Sequence, residues 1–175
     1  MNATDPHRQQ QLYWRELGEL ATAFCYYRLL RNRLTRLNQS VGIIKAVAAS
    51  GTIAAWAIWK QATLFWAAII AASQLIDAVK DVIPFQRNNK SANDVVNTLD
   101  TILIDSQFEW EDIFAGHLPD NEISTRRRKI VRLRVEAERK HFPDGHVVSR
   151  RLFALARVEA RNYLSAMYEV RETQP

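Results

Sequence analysis

One cysteine, Cys25, stands among 175 residues, which excludes an intramolecular disulfide framework and any multi-cysteine zinc or iron–sulfur centre. Glycine and proline are scarce as well, five of each, too little turn punctuation for a β-sandwich or a Gly-rich nucleotide-binding fold. A Gly-rich phosphate loop, GxSxG, HExxH and CxxC are all missing. The chain is therefore expected to be all-α and not an enzyme, with no catalytic residues, no cofactor and no metal. His141 and His146 flank a turn without further ligands, and Cys25 sits beside Phe24 on the apolar side of a helix, as a packed structural cysteine does. Residues 1–9 (MNATDPHRQ) lack the apolar core and cleavage site of a secretory leader, so the N-terminus is expected to stay on the cytoplasmic side.

What the chain does have is segregated along its length. The composition, 47% hydrophobic and 25% charged, is that of an average globular protein, and 24 basic against 19 acidic side chains give a net charge of +5. From Gln11 to Asn38, Leu12, Leu17, Leu20, Phe24, Tyr27, Leu30, Leu34 and Leu37 recur at steps of three to five, the period of a long amphipathic helix. Its second half holds Arg28, Arg31, Arg33 and Arg36 and no acid.

Two apolar runs follow, Val41–Trp59 and Gln61–Val79, separated by Lys60. Each has nineteen residues, about 28 Å as a helix, close to the ~30 Å hydrocarbon core of a bilayer. The charge-free stretches, Ala46–Trp59 and Gln61–Ile76, are shorter than the ~18 residues of a standard span, and Lys45 and Asp77 must then sit at one end of the hairpin. Trp56, Trp59 and Trp66 cluster near the turn, where interfacial aromatics belong, and the flanking cations outnumber the single Lys60 of the turn. The expectation is a transmembrane hairpin over 41–83 in a bacterial inner membrane, preceded by an amphipathic helix over 1–40 and followed by a helical region over 84–175, with both termini cytoplasmic. An Ala-rich hairpin buried in a soluble assembly is the competing reading.

The last third alternates in sign. Residues 92–115 carry Asp94, Asp100, Asp105, Glu109, Glu111 and Asp112, with no Lys or Arg between Lys90 and Arg126. Their apolar positions, Val95, Val96, Leu99, Ile102, Leu103, Phe108, Trp110, Ile113 and Phe114, have helical spacing. After GHLPDN, the segment Glu122–Phe142 is basic, and its RRRK run (Arg126, Arg127, Arg128, Lys129), extended by Arg132, is a candidate regulatory or ligand-binding patch. Pairing with the acidic helix, anionic ligands and nucleic acid compete for that patch, nucleic acid being disfavoured by the acidic neighbour. A final helix over Val147–Glu172 carries Leu152, Leu155, Val158, Leu164, Met167 and Val170.

Within the hairpin, Ala46, Gly51, Ala54, Ala55, Ala67 and Ala71 repeat a small-xxx-small spacing that lets helices approach closely, pointing to a homo-oligomer in the lipid bilayer. Ser50, Thr52, Ser73 and Gln74 are the candidates to line a pore, unless the hydroxyls bond back to their own helix.

The order of an Arg- and aromatic-rich helix (YWRELGELATAFCYYRLLRNRL), a tight two-span hairpin and an acidic Trp-containing helix (FEWEDIF) resembles the SLATT family of two-transmembrane proteins over about residues 10–115. That resemblance implies an oligomeric effector of antiphage defence that forms a pore or disrupts the inner membrane, beside a nucleotide-signalling or other defence-system partner. A different class, an all-α soluble adaptor or regulatory subunit whose Ala-rich hairpin is buried against a partner, fits the same composition.

Overall fold

With no proline between Arg8 and Ile58 and only Gly18, Gly42 and Gly51 to weaken it, the first helix does not stop where the apolar run begins. Helix α1 spans Arg8–Ile58, 51 residues, joining the amphipathic segment and the first apolar run into one element. Helix α2 spans Phe85–Phe114, α3 Asp120–His141 and α4 Arg150–Glu169. The computed structural model describes residues 7–58, 68, 71, 72, 74, 85–143, 145 and 148–169, the side chains at 45, 47–58, 85–87 and 169 excepted.

The turns carry the chemistry their sequences announce. Gly116 adopts φ +76° just past α2 and its N–H bonds the Ile113 carbonyl at 3.1 Å, a left-handed stop that a β-carbon would strain. Pro119 then offers its carbonyl to the N–H groups of Glu122 and Ile123, opening α3. That helix has Asp120 and Glu122 in its first turn and Arg139, Lys140 and His141 in its last, which opposes the helix dipole at both ends.

The chain divides into two compact units, Met1–Leu30 with Ser91–Pro175, and Arg31–Lys90. In the first unit, the early part of α1 packs with α2, α3 and α4. Gln10 Nε2 donates to the Ile113 carbonyl at 3.1 Å and Tyr13 Oη to the Ser106 carbonyl at 3.0 Å, so α1 and α2 run antiparallel. Asp112 with Arg126 and Glu109 with Lys129 make α2 and α3 antiparallel, and Trp14 with Tyr168 and Arg28 with Glu159 do the same for α1 and α4. The acidic and basic helices therefore lie side by side within one chain.

The core holds Tyr13, Leu17, Leu20, Phe24 and Cys25 of α1 against Val95, Leu99, Leu103 and Ile113 of α2. From α3 come Ile123, Ile130 and Ala137, at steps of seven, and from α4 Ala156, Ala160 and Leu164, at steps of four. Each fully buried Leu contributes roughly 1.5–3 kcal/mol from its apolar area. The buried stripes differ in places from those the spacing suggests. On α2, Gln107 is inside and Phe108 is 66% exposed; on α4, Ala156 and Ala160 are inside while Leu155, Val158 and Met167 are about half exposed. Gln107 is held by two contacts from its Nε2, to Tyr163 Oη at 3.2 Å and Met167 Sδ at 3.1 Å. In the second unit, Thr35 Oγ1 donates to Asn89 Oδ1 at 3.2 Å.

One expectation is overturned. Among the described residues no helix is long and apolar enough to cross a membrane, which removes the placement as a two-span inner-membrane protein with both termini cytoplasmic. Helix α1 has the length, but its apolar stripe up to Tyr27 is spent on the protein core, and α2, α3 and α4 carry charged residues along their lengths. The charge-free stretches fall short of the ~18–20 residues that a span requires. Most of the second apolar run, Trp59 and Trp66 with it, lies outside the described residues; within it Ala68, Ala71, Ala72 and Gln74 are helical and exposed.

The Tyr13 hydroxyl joins α1 to α2 inside the core, where it also donates to Glu109 Oε2 at 3.1 Å. Tyr13→Phe removes both contacts and is expected to cost about 1–2 kcal/mol, read as a lower urea midpoint with an unchanged slope.

Candidate functional site

On a helix, residues three or four apart share a face, so the basic run of α3 cannot act as one block. Arg126 and Lys129 lie together and look toward α2. Arg126 donates to Glu122 at 2.8 Å and reaches Asp112 at 4.0 Å, while Lys129 Nζ donates to Glu109 Oε1 at 3.0 Å. The bond to Glu122, with smaller help from Glu109 and Asp112, holds the Arg126 guanidinium above its ordinary range. These two cations fasten α3 to α2.

Arg127, Arg128 and Arg132 turn the other way, into a groove of about 890 Å³ between α3 and α1. Arg139 and Lys140 extend it along α3, Val131 and Val135 line it between the cations, and α1 contributes Arg15 and Glu16. Six cations thus meet two carboxylates, Glu16 and Glu136. Among the described residues, Arg127, Arg128, Arg132, Arg139 and Lys140 have no carboxylate within 4.0 Å. Arg128 Nε has a 3.4 Å contact to the Ser124 carbonyl, and Arg15 a loose 3.9 Å contact to Glu16. Like charges gathered around an apolar strip repel one another unless an anionic group joins them.

The basic patch read from sequence is therefore divided: Arg127, Arg128 and Arg132 come together in the groove, and Arg126 and Lys129 do not. Arg15, Val131, Val135, Arg139 and Lys140 escape sequence reasoning, although the i, i+4 valines set among arginines carry a signal for a mixed apolar and cationic face. The small-residue face falls elsewhere. Ala46 and Ala71 are helical and exposed; Gly51, Ala54 and Ala55 belong to α1 with side chains outside the described set; Ala67 lies outside the described residues. Of the pore candidates, Gln74 is helical and exposed, Ser50 and Thr52 are in α1 without described side chains, and Ser73 lies outside.

No family model, curated protein or solved structure matches the chain. The groove must be read from its own chemistry.

Cys25 is fully buried and burial pushes its thiol above the usual value against the smaller opposing effect of Arg28, so it is not an activated nucleophile. The His141 ring lies 3.5 Å from Thr98 Oγ1 at the end of α3, and His146 lies outside the described residues. Among the described residues no group of three or more His, Cys, Asp or Glu side chains could hold a metal ion. The Arg28–Glu159 pair at 2.9 Å ties α1 to α4, but both partners are more than a third exposed, so its contribution is at most about 1 kcal/mol.

On α3, Glu138 is partly buried, and burial raises its carboxyl pKa against a smaller lowering by Arg134. A raised folded-state value means that the protonated form is favoured by folding. Its stabilising share is complete below the unfolded value of about 4.3 and is lost as pH rises through the folded value. Glu138→Gln is expected to raise the melting temperature at neutral pH and to leave it unchanged below about pH 4, by differential scanning calorimetry across that range.

Proposed function

We propose that this chain is a helical adaptor or regulatory subunit, not an enzyme, that works by receiving an acidic protein segment in the groove between α1 and α3. The observation that carries the reading is the sorting of the basic run: Lys129 is held by Glu109 of α2 and Arg126 by Glu122 and Asp112, whereas among the described residues Arg127, Arg128 and Arg132 face the groove with no carboxylate within 4.0 Å. The valine strip suits an amphipathic helix whose apolar side chains contact Val131 and Val135 while its carboxylates meet the flanking arginines. A nucleic-acid backbone would leave that strip uncovered and meet Glu16 and Glu136 with like charge.

A second contact surface supports the same class of function. Leu37, Ile43 and Ile44 of α1 are exposed at 44%, 64% and 37%, at the start of the chain's most apolar sequence, which a partner protein would cover.

Fluorescence anisotropy with a labelled amphipathic peptide, Leu at i, i+4 flanked by Glu, tests the reading. Binding is expected to weaken about tenfold from 0.1 M to 0.5 M salt and to be lost in Arg128→Glu/Arg132→Glu. An oligonucleotide of equal charge that binds more tightly than the peptide would overturn it.

A further inference from the structure

The groove has a shape and a charge pattern, and the same chain carries the matching surface. The outer face of α2 presents Asp100, Ile104, Asp105, Phe108, Glu111 and Asp112, all exposed, with Ile104 at 45% and Phe108 at 66%. The two apolar side chains are i, i+4 on the helix, and the acids lie on both sides of them. Val131 and Val135 of the groove are also i, i+4, with arginines on both sides.

The lengths agree as well. Asp100 to Asp112 covers roughly 18 Å of helix and Arg127 to Lys140 roughly 20 Å. In one place an apolar pair is flanked by carboxylates, in the other an apolar pair is flanked by cations, on the same spacing. Within one copy α2 keeps Val95, Leu99 and Leu103 on the core and so directs Ile104 and Phe108 away from it, with Asp100 and Asp105 flanking them, while Asp112 already reaches Arg126.

We propose that the occupant of the groove is a second copy of this chain, which lays the acidic outer face of its α2, centred on Ile104 and Phe108, between α1 and α3. The inference rests on the groove being a site for acidic helices. The contact joins two different surfaces, so it is head-to-tail: each copy leaves one groove and one acidic face open, and assembly continues to a closed ring or an open filament. A lone acidic helix from another protein would satisfy the groove equally in charge, but it would leave Ile104 and Phe108 without a partner.

Sedimentation velocity of the full chain tests the pairing. In about 0.1 M salt the wild-type chain is expected to sediment above its monomer mass, and in about 0.5 M salt to fall toward it. Asp100→Lys/Asp105→Lys and Arg128→Glu/Arg132→Glu should each lose self-association. Mixed together they should co-assemble, since the unaltered groove of one takes the unaltered face of the other and the two charge-reversed surfaces are again complementary. A chain carrying all four changes should associate again, which also shows that the substitutions do not act by unfolding.

Self-association that neither pair reduces overturns the proposal, and so does loss through Arg151→Glu/Arg161→Glu on the outer face of α4 with the groove pair retaining it. A wild-type chain that binds the acidic peptide of the preceding section yet stays monomeric at low salt overturns the self-pairing and leaves the groove reading standing. Failure of the peptide to bind removes both.

Discussion

The Glu109 carboxylate accepts from Tyr13 of α1 at 3.1 Å and from Lys129 of α3 at 3.0 Å, so one side chain of α2 fixes the rotation of two neighbouring helices. Its position at the margin of the core makes both bonds charge-assisted while leaving the carboxylate only 18% exposed. Once Lys129 is held there, the 100° step of the helix dictates where the rest of the run must look. Arg126 falls back on Glu122 and Asp112, and the residues between and beyond them are carried round to the α1 side. The cationic groove is thus a geometric by-product of a structural ion pair, and its character depends on that pair staying closed.

The formal charge of +5 says little about this arrangement. Residues 82–175 alone carry fifteen basic and fourteen acidic side chains, close to neutral, yet they contain both an acidic helix face and most of a predominantly cationic groove. Separation of charge within a nearly neutral region favours specific pairing over general attraction to polyanions, because every acidic stripe competes with nucleic acid for the basic one.

Helices α2, α3 and α4 were legible in the sequence, and so was the breaker at GHLPDN, whereas the continuity of α1 through Ile58 was not. Periodicity located Leu17, Leu20, Phe24, Val95, Leu99 and Leu103 in the core because each belongs to the one continuous apolar stripe of its helix. It misassigned Phe108, Leu155 and Val158 because α2 and α4 each have two stripes, and the one that is buried is set by neighbours. On α4, small Ala156 and Ala160 let the helix approach closely, which turns the larger Leu155 and Val158 outward. On α2, Tyr163 and Met167 satisfy Gln107 and draw an amide into the interior. The groove was half legible: the basic run is obvious, but its division depends on Glu109 and Asp112 of a different helix. Run length overstates the case for a bilayer span, because Lys45 and Asp77 shorten the charge-free stretches and α1 continues unbroken into the first of them.

The first unit is assembled from two stretches of chain, residues 1–30 and 91–175, with 60 residues between them. During synthesis at about 5–20 residues per second, Tyr13, Leu17, Leu20 and Phe24 emerge roughly 3–12 s before the first turn of their α2 partner surface exists. For that interval the amphipathic helix has no inner face to close on, and loop closure over the intervening chain must precede any gain from packing. The order of translation therefore leaves the core-forming stripe of α1 as a client for chaperones before it becomes the centre of a fold.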